Sequence, residues 1–151
     1  DALSCVVRLI DMGIEPFMLA NSLQLAAAQR LVRVICAHCK KPAKVPRELA
    51  ETVIRDSLLN PPPDLSSAVF YEPCGCDKCS RTGYLGRKAI YEVYKINSAM
   101  REIIYRYGGD IGKLSQAAKE SGMWNMRASG FRKVLSGITT IEEVMMVTVA
   151  D

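Results

Sequence analysis

Two clusters of cysteine are the residues of this chain whose type and spacing could do chemistry. CAHCK carries Cys36 and Cys39, and CGCDKCSRTGYLGR carries Cys74, Cys76 and Cys79. Three chemistries are open to them. Four thiolates can hold zinc in a tetrahedron, with each Cys-x-x-Cys giving two ligands from one tight turn. A single Cys-x-x-Cys at a helix N-terminus can exchange disulfides. Paired cysteines can also close disulfides, but that needs an oxidising compartment, and nothing in the sequence points to secretion. The redox reading leaves the second pair unexplained, whereas the metal reading uses both and predicts Cys36, Cys39, Cys76 and Cys79 as the ligands of a structural zinc. Thirty-six residues lie between the pairs. That length is affordable, since doubling a loop adds only about 0.6 kcal/mol of closure entropy.

The neighbours fit a polyanionic cluster. Lys40, Lys41, Lys44, Lys78 and Arg81 crowd both pairs and are expected to offset its charge. Gly83 permits the turn the backbone needs beside a metal. Cys74, the odd thiol, reads as a spare or as a stand-in during metal exchange. Cys5 reads as a small buried residue. His38 sits between the two cysteines of one turn and is expected to point outward rather than to ligate.

Other candidates carry less. The formal net charge is +4, and four thiolates on one zinc would lower it to about +2. Basic residues are interleaved with acids, so no nucleic acid is expected as partner; Tyr84, Arg87 and Lys88 offer only a thin version of an aromatic and basic face. GGDIGKLS, residues 108–115, fails as a Walker A motif, because three residues intervene where four are needed and Leu114 follows Lys113. It reads as the end of one helix and the start of the next. Met123, Met126, Met145 and Met146 have the helical spacing of plain core packing. Arg30 and Arg33 flank a strand; a solvated edge is expected there, with phosphate or interface contact as the functional alternative.

These residues need elements to hold them. The 151 residues fit one domain or two small ones, with about half apolar. No run is long enough to span a bilayer, and the start, which lacks Met and a basic leader, reads as a piece of a longer protein. Residues 2–12 are apolar on nearly every side and predict a buried helix between Asp1 and Gly13. Pro16 opens a second helix expected to bury Phe17, Ala20, Leu23 and Ala27. LVRVI, 31–35, predicts a strand. Between the clusters, Pro42 and Pro46 bracket a loop, and 47–59 predicts a helix with Leu49, Val53 and Ile54 on one face, stopped by Pro61 to Pro63. AVFYE, 68–72, and AIYEVY, 89–94, predict strands into and out of the second cluster. Ser98 is expected to cap a helix carrying Met100, Ile103, Ile104 and Tyr107, and Asp110 one burying Ile111, Leu114 and Ala118. A third runs from Trp124 to Leu135, and Thr140 with Glu143 predicts a reciprocal capping box.

Three segments in order resemble a known family. RLIDMGIEPFMLANSLQLAAAQRLVRVICAHC is similar to the end of the motor domain of the bacterial type II secretion and type IV pilus assembly ATPases, the general secretion pathway protein E family. GCDKCSRTGYLGRKAIYEV is similar to their cysteine-cluster exit strand, and GMWNMRASGFRKVLSGITTIEEVMMVT to their closing helices. Asp1-Ala2 resemble the last two residues of the family's histidine box. The tetracysteine motif carries over onto Cys36, Cys39, Cys76 and Cys79; Cys74 is extra, and Lys88-Ala89 stand where Thr-Gly-like pairs are usual. Retraction motors of the wider family generally lack the cysteine pairs, so the resemblance favours an extension or secretion motor.

The resemblance implies the C-terminal portion of a RecA-like motor, mainly α with a small β-containing zinc subdomain. Its expected parts are the motor end (1–35), the zinc subdomain (36–88) and a C-terminal strand and helical bundle (89–151). ATP and magnesium would belong to the parent protein, whose Walker motifs precede the matched segment, and this part alone is expected to be inactive. Implied partners are neighbouring subunits of a hexamer and the inner-membrane platform, which places the parent in the cytoplasm, peripheral at the inner membrane. A zinc-ribbon nucleic-acid binder and a Cys-x-x-Cys thiol oxidoreductase are the alternatives.

Overall fold

The structure is a computed structural model and describes residues 1–45, 47–57 and 63–148. Pro46, Pro61, Pro62, the helix end expected at 58–59 and the side chain of Val53 lie outside the described residues. In chain order the elements are α1 (Ser4–Asp11), α2 (Pro16–Ser22), β1 (Leu25–Ile35), β2 (Lys41–Ala43), α3 (Arg47–Ser57), β3 (Phe70–Glu72), a 3-10 turn (Asp77–Cys79), β4 (Tyr84–Lys95), α4 (Ser98–Tyr107), α5 (Ile111–Glu120), α6 (Met126–Leu135) and α7 (Ile141–Val147). Seven helices, two long strands (β1 and β4) and two short ones (β2 and β3) thus make up most of the described chain.

Strand pairing is of two kinds. β1 and β4 form one two-stranded ribbon and β2 and β3 another. The second is antiparallel, with Lys41 opposite Glu72, Pro42 opposite Tyr71 and Ala43 opposite Phe70. The chain divides into two compact units, Asp1–Ala28 with Glu92–Trp124, and Gln29–Tyr91 with Asn125–Asp151.

The first unit is a helical cluster with one apolar centre. Ala2, Leu3, Val6, Leu19, Ala20, Ala26, Tyr94, Ile96, Met100, Ile104, Leu114, Ala117 and Ala118 meet there. Its helices are fixed by their ends. Asp1 accepts from the Ser4 N–H at 2.7 Å, Pro16 stands at the first turn of α2, and Asp110 accepts from the Lys113 N–H at 3.0 Å. Gly108 and Gly109, both at positive φ, separate α4 from α5, so GGDIGKLS is a helix end and a helix start.

Several sequence expectations change here. α1 is buried on one face only, and Met12 is 79% exposed. α2 stops at Ser22; it buries Leu19 and Ala20 while Phe17 stands exposed against Tyr105. Ala27 lies exposed in β1, which starts six residues earlier than expected. Asn97, not Ser98, caps α4 by accepting from the Met100 N–H at 2.9 Å. Tyr107 and Ile111 face outward.

The second unit carries the cysteines. Phe131, Val134 and Val144 are fully or almost fully buried in it, and Phe70 of β3 lies against Phe131 with ring centroids 6.5 Å apart. α6 and α7 approach closely at Gly130, where an added Cβ would stand 2.5 Å from a Val144 methyl. α6 starts at Met126, capped by Asn125, so Trp124 precedes it. Met126 is buried, but Met145 and Met146 are exposed, so only part of the methionine set packs as core.

Candidate metal centre

Backbone turns build the site. β1 ends at Ile35, whose N–H donates to Ile138 O at 2.9 Å, and the next N–H, of Cys36, donates to Gly83 O at 2.9 Å. Cys36 is therefore pinned to Gly83, the residue just before β4. The chain then turns on itself, with the Lys40 N–H donating to Cys36 O at 3.0 Å. The second cluster turns the same way, through Cys79 N–H to Cys76 O at 3.2 Å and Arg81 N–H to Cys76 O at 2.8 Å. Ser80 and Arg81 both take positive φ, 49° and 64°, which side-chain-bearing residues adopt only where their surroundings require it.

Two glycines make the second turn possible. Gly83 has φ +76°, and a Cβ there would stand 2.4 Å from the Pro73 Cβ. Gly75 has φ +90°, and a Cβ would stand 2.6 Å from Arg81 O. Sequence reasoning found the first and missed the second, although a glycine between two cysteines was the available signal.

The four predicted sulfurs converge. Cys36, Cys39, Cys76 and Cys79 place their Sγ atoms within 4.8 Å of one another. Cys36 to Cys76 is 3.9 Å, Cys39 to Cys79 is 3.9 Å, and Cys76 to Cys79 is 3.7 Å. A disulfide needs about 2.05 Å. A zinc tetrahedron with Zn–S of about 2.3 Å has edges of about 3.8 Å. The sulfur spacing therefore fits a tetrahedral thiolate site and not a pair of disulfides. Cys74 is exposed and outside the group, and His38 is exposed in the first turn.

Backbone N–H groups also aim at the sulfurs. Cys76 N–H donates to Cys79 Sγ at 3.1 Å and Gly83 N–H at 3.3 Å. Burial pushes the Cys79 thiol up, but these N–H bonds and the neighbouring thiols outweigh it and hold it at about 6. Burial and the thiols around it push Cys39 up to about 11, against a lowering bond from Gly75. Four thiolates in this space need a cation at their centre. The basic residues meant to surround the cluster are partly engaged elsewhere. Lys40 Nζ donates to Gly137 O at 3.1 Å and lies 4.1 Å from the Tyr71 ring centre, and Arg81 pairs with Asp77 at 3.0 Å.

Around the turn lies a polar network that the sequence did not announce. Arg33 bonds Glu143 through its backbone N–H at 3.1 Å, through Nε at 2.9 Å and through Nη2. Its guanidinium carbon lies 4.1 Å from the Tyr84 ring centre. Thr140 caps α7 by accepting from the Glu143 N–H at 3.3 Å. The other half of the expected capping box is replaced, because the Glu143 carboxylate serves Arg33.

This arrangement belongs to a known class. Residues 1–146 match the family described as type II/IV secretion system protein, and the chain belongs to that family. Over 154 aligned residues it is 42% identical to the type IV pilus assembly ATPase PilB of Myxococcus xanthus, across all of this chain and 26% of that protein. It is 43% identical to PilB of Pseudomonas aeruginosa over 97% of this chain and 25% of that protein. It is 39% identical to the type II secretion system ATPase E of Vibrio cholerae over 97% of this chain and 27% of that protein. The chain spans about a quarter of the length of these curated relatives.

Proposed function

We propose that this chain is a zinc-braced portion, at the C-terminal end, of a motor ATPase that powers type II secretion or type IV pilus assembly. The observation that carries this reading is a four-sulfur cage inside a chain that matches the secretion-system family over residues 1–146. Cys36, Cys39, Cys76 and Cys79 would hold zinc, and the metal would supply a cross-link, with all four positions filled by protein and none left for a substrate. The chain's own part is to preset the cage. Gly75 and Gly83 allow the turn, and the N–H groups of Cys76 and Gly83 stabilise thiolate at Cys79.

In this reading residues 36–88 form the metal-dependent segment between the motor end, 1–35, and the helical part, 89–151. The parent carries the RecA-like nucleotide machinery with ATP and magnesium, assembles as a hexamer, works in the cytoplasm at the inner membrane and pushes against a membrane platform. The segment 36–88 braces that ring and touches the platform. This chain, whose sequence holds no Walker A motif, does not turn over ATP by itself.

The test has two arms. Mass spectrometry of the purified chain with a thiol count is expected to give one zinc, and four thiols protected until denaturation. Deleting residues 40–75 in the full-length protein is expected to weaken its capture by the platform. Absent metal with readily oxidised pairs would turn the assignment toward redox chemistry, and undiminished capture would remove the coupling role.

A further inference from the structure

Beside the cysteine turn lies a hollow of about 220 Å³ lined by Arg33, Thr82, Tyr84, Gly86 and Arg87. Its lining includes two arginines and no acid. Arg33 is held from two sides, by Glu143 through Nε and Nη2 and by the Tyr84 ring at 4.1 Å. Tyr84 is itself anchored, its hydroxyl 3.3 Å from Thr140 Oγ1. Arg33 Nη1 has no partner among the described residues, and neither has the Arg87 side chain. Thr82 adds no competing group, since its hydroxyl donates to Cys79 O at 2.6 Å and accepts from the Tyr84 N–H at 3.3 Å. Gly86, at φ +82°, has nothing within 4 Å of where a Cβ would stand, so the mouth stays open.

An exposed arginine alone is ordinarily solvated surface. Here the hollow's other arginine, Arg33, has its guanidinium held in place, so the ordering that binding normally costs is already done on that side. Arginine's planar fork matches carboxylate and phosphate oxygens. We propose that this hollow binds an oxyanion, a phosphate or a carboxylate group, between Arg33 and Arg87. The source is either a free phosphate compound or an acidic side chain of another protein chain. The inference stands apart from the motor reading, since it uses only side chains of the second unit.

The test uses the zinc-loaded chain and amide NMR shifts of Tyr84, Gly86 and Arg87. The probes are inorganic phosphate and, separately, acetate at matched ionic strength. A saturating shift is expected. Arg87→Gln should weaken binding about tenfold, the loss of one charge-assisted contact. Arg87→Lys, which keeps the charge but loses the fork, should weaken it less, and Lys119→Gln on α5 should leave it unchanged. Saturation by phosphate alone identifies a free phosphate compound as the source. Saturation by acetate at the lower concentration identifies a protein carboxylate. Shifts that grow without saturating, or that survive Arg87→Gln, would overturn the proposal.

Discussion

Arg33 on β1 and Glu143 in the first turn of α7 lie 110 positions apart and meet through three hydrogen bonds. The Glu143 side chain is 4% exposed and that of Arg33 47%. One acid therefore ties the strand that leads into the first cysteine pair to the helix that closes the second unit.

Glu143→Gln should cost about 1 to 2 kcal/mol, because charged hydrogen bonds are lost but the arginine side remains hydrated. Bonding to Arg33 holds the Glu143 carboxyl below its ordinary value, against the raising effect of burial. A depressed acid stabilises the fold above its unfolded pKa, about 4.3. That contribution is lost as pH falls through the lower folded value. Urea unfolding at pH 7 should separate wild type from the variant, and the gap should narrow below about pH 4. A constant gap at all pH values would show that the pair does not act through charge.

Cys76→Ser should abolish tight metal binding and Cys74→Ser should keep it. Cys76 lies within the four-sulfur group, and Cys74 is exposed outside it. Metal analysis after dialysis reads the difference. The reverse pattern would move the fourth ligand to Cys74.

Chelation should open residues 36–45 and 70–83 to amide exchange while α4 and α5 stay protected. The apolar centre of the first unit contains no cysteine of the cluster, whereas the turn at 74–83 has a metal as its only prospective core. Unchanged protection at 70–83 after metal removal would contradict this.

Gly83→Ala and Gly86→Ala form a matched pair. Both residues have positive φ, +76° and +82°, so both variants bear the strain of a left-handed alanine, about 1 kcal/mol. Only at Gly83 does the new carbon also strike backbone-anchored Pro73, at 2.4 Å. Gly83→Ala should therefore be the worse by about 2 kcal/mol or more and should lose metal. Thermal unfolding with metal content distinguishes them, and equal losses would show that space at Gly83 is not limiting.

Local patterns were legible and distant ones were not. Cys-x-x-Cys spacing, Asp110 and Pro16 each act within one turn, so sequence alone placed them. The strand at 25–30 was hidden by LAAAQR, whose alanines favour helix locally; the pairing of β1 with β4 overrides that preference. Glu143 had the right offset from Thr140 for a capping box. Its carboxylate goes instead to a partner 110 positions away, which no local window contains. Phe17 and Met146 have helical spacing that suits a core, yet stand exposed, because spacing defines a face without saying what covers it.

The bond from the Cys36 N–H to Gly83 O, with the sulfurs beside it, has a mechanical consequence. It extends the coupling of the β1–β4 ribbon one step past its end, into the two cysteine turns. Between the two turns, residues 41–43 and 70–72 pair as β2 and β3, so the intervening chain is tied back on itself as well. Strain at the first cysteine turn is thereby felt at the second, so the two turns are expected to hold or loosen together.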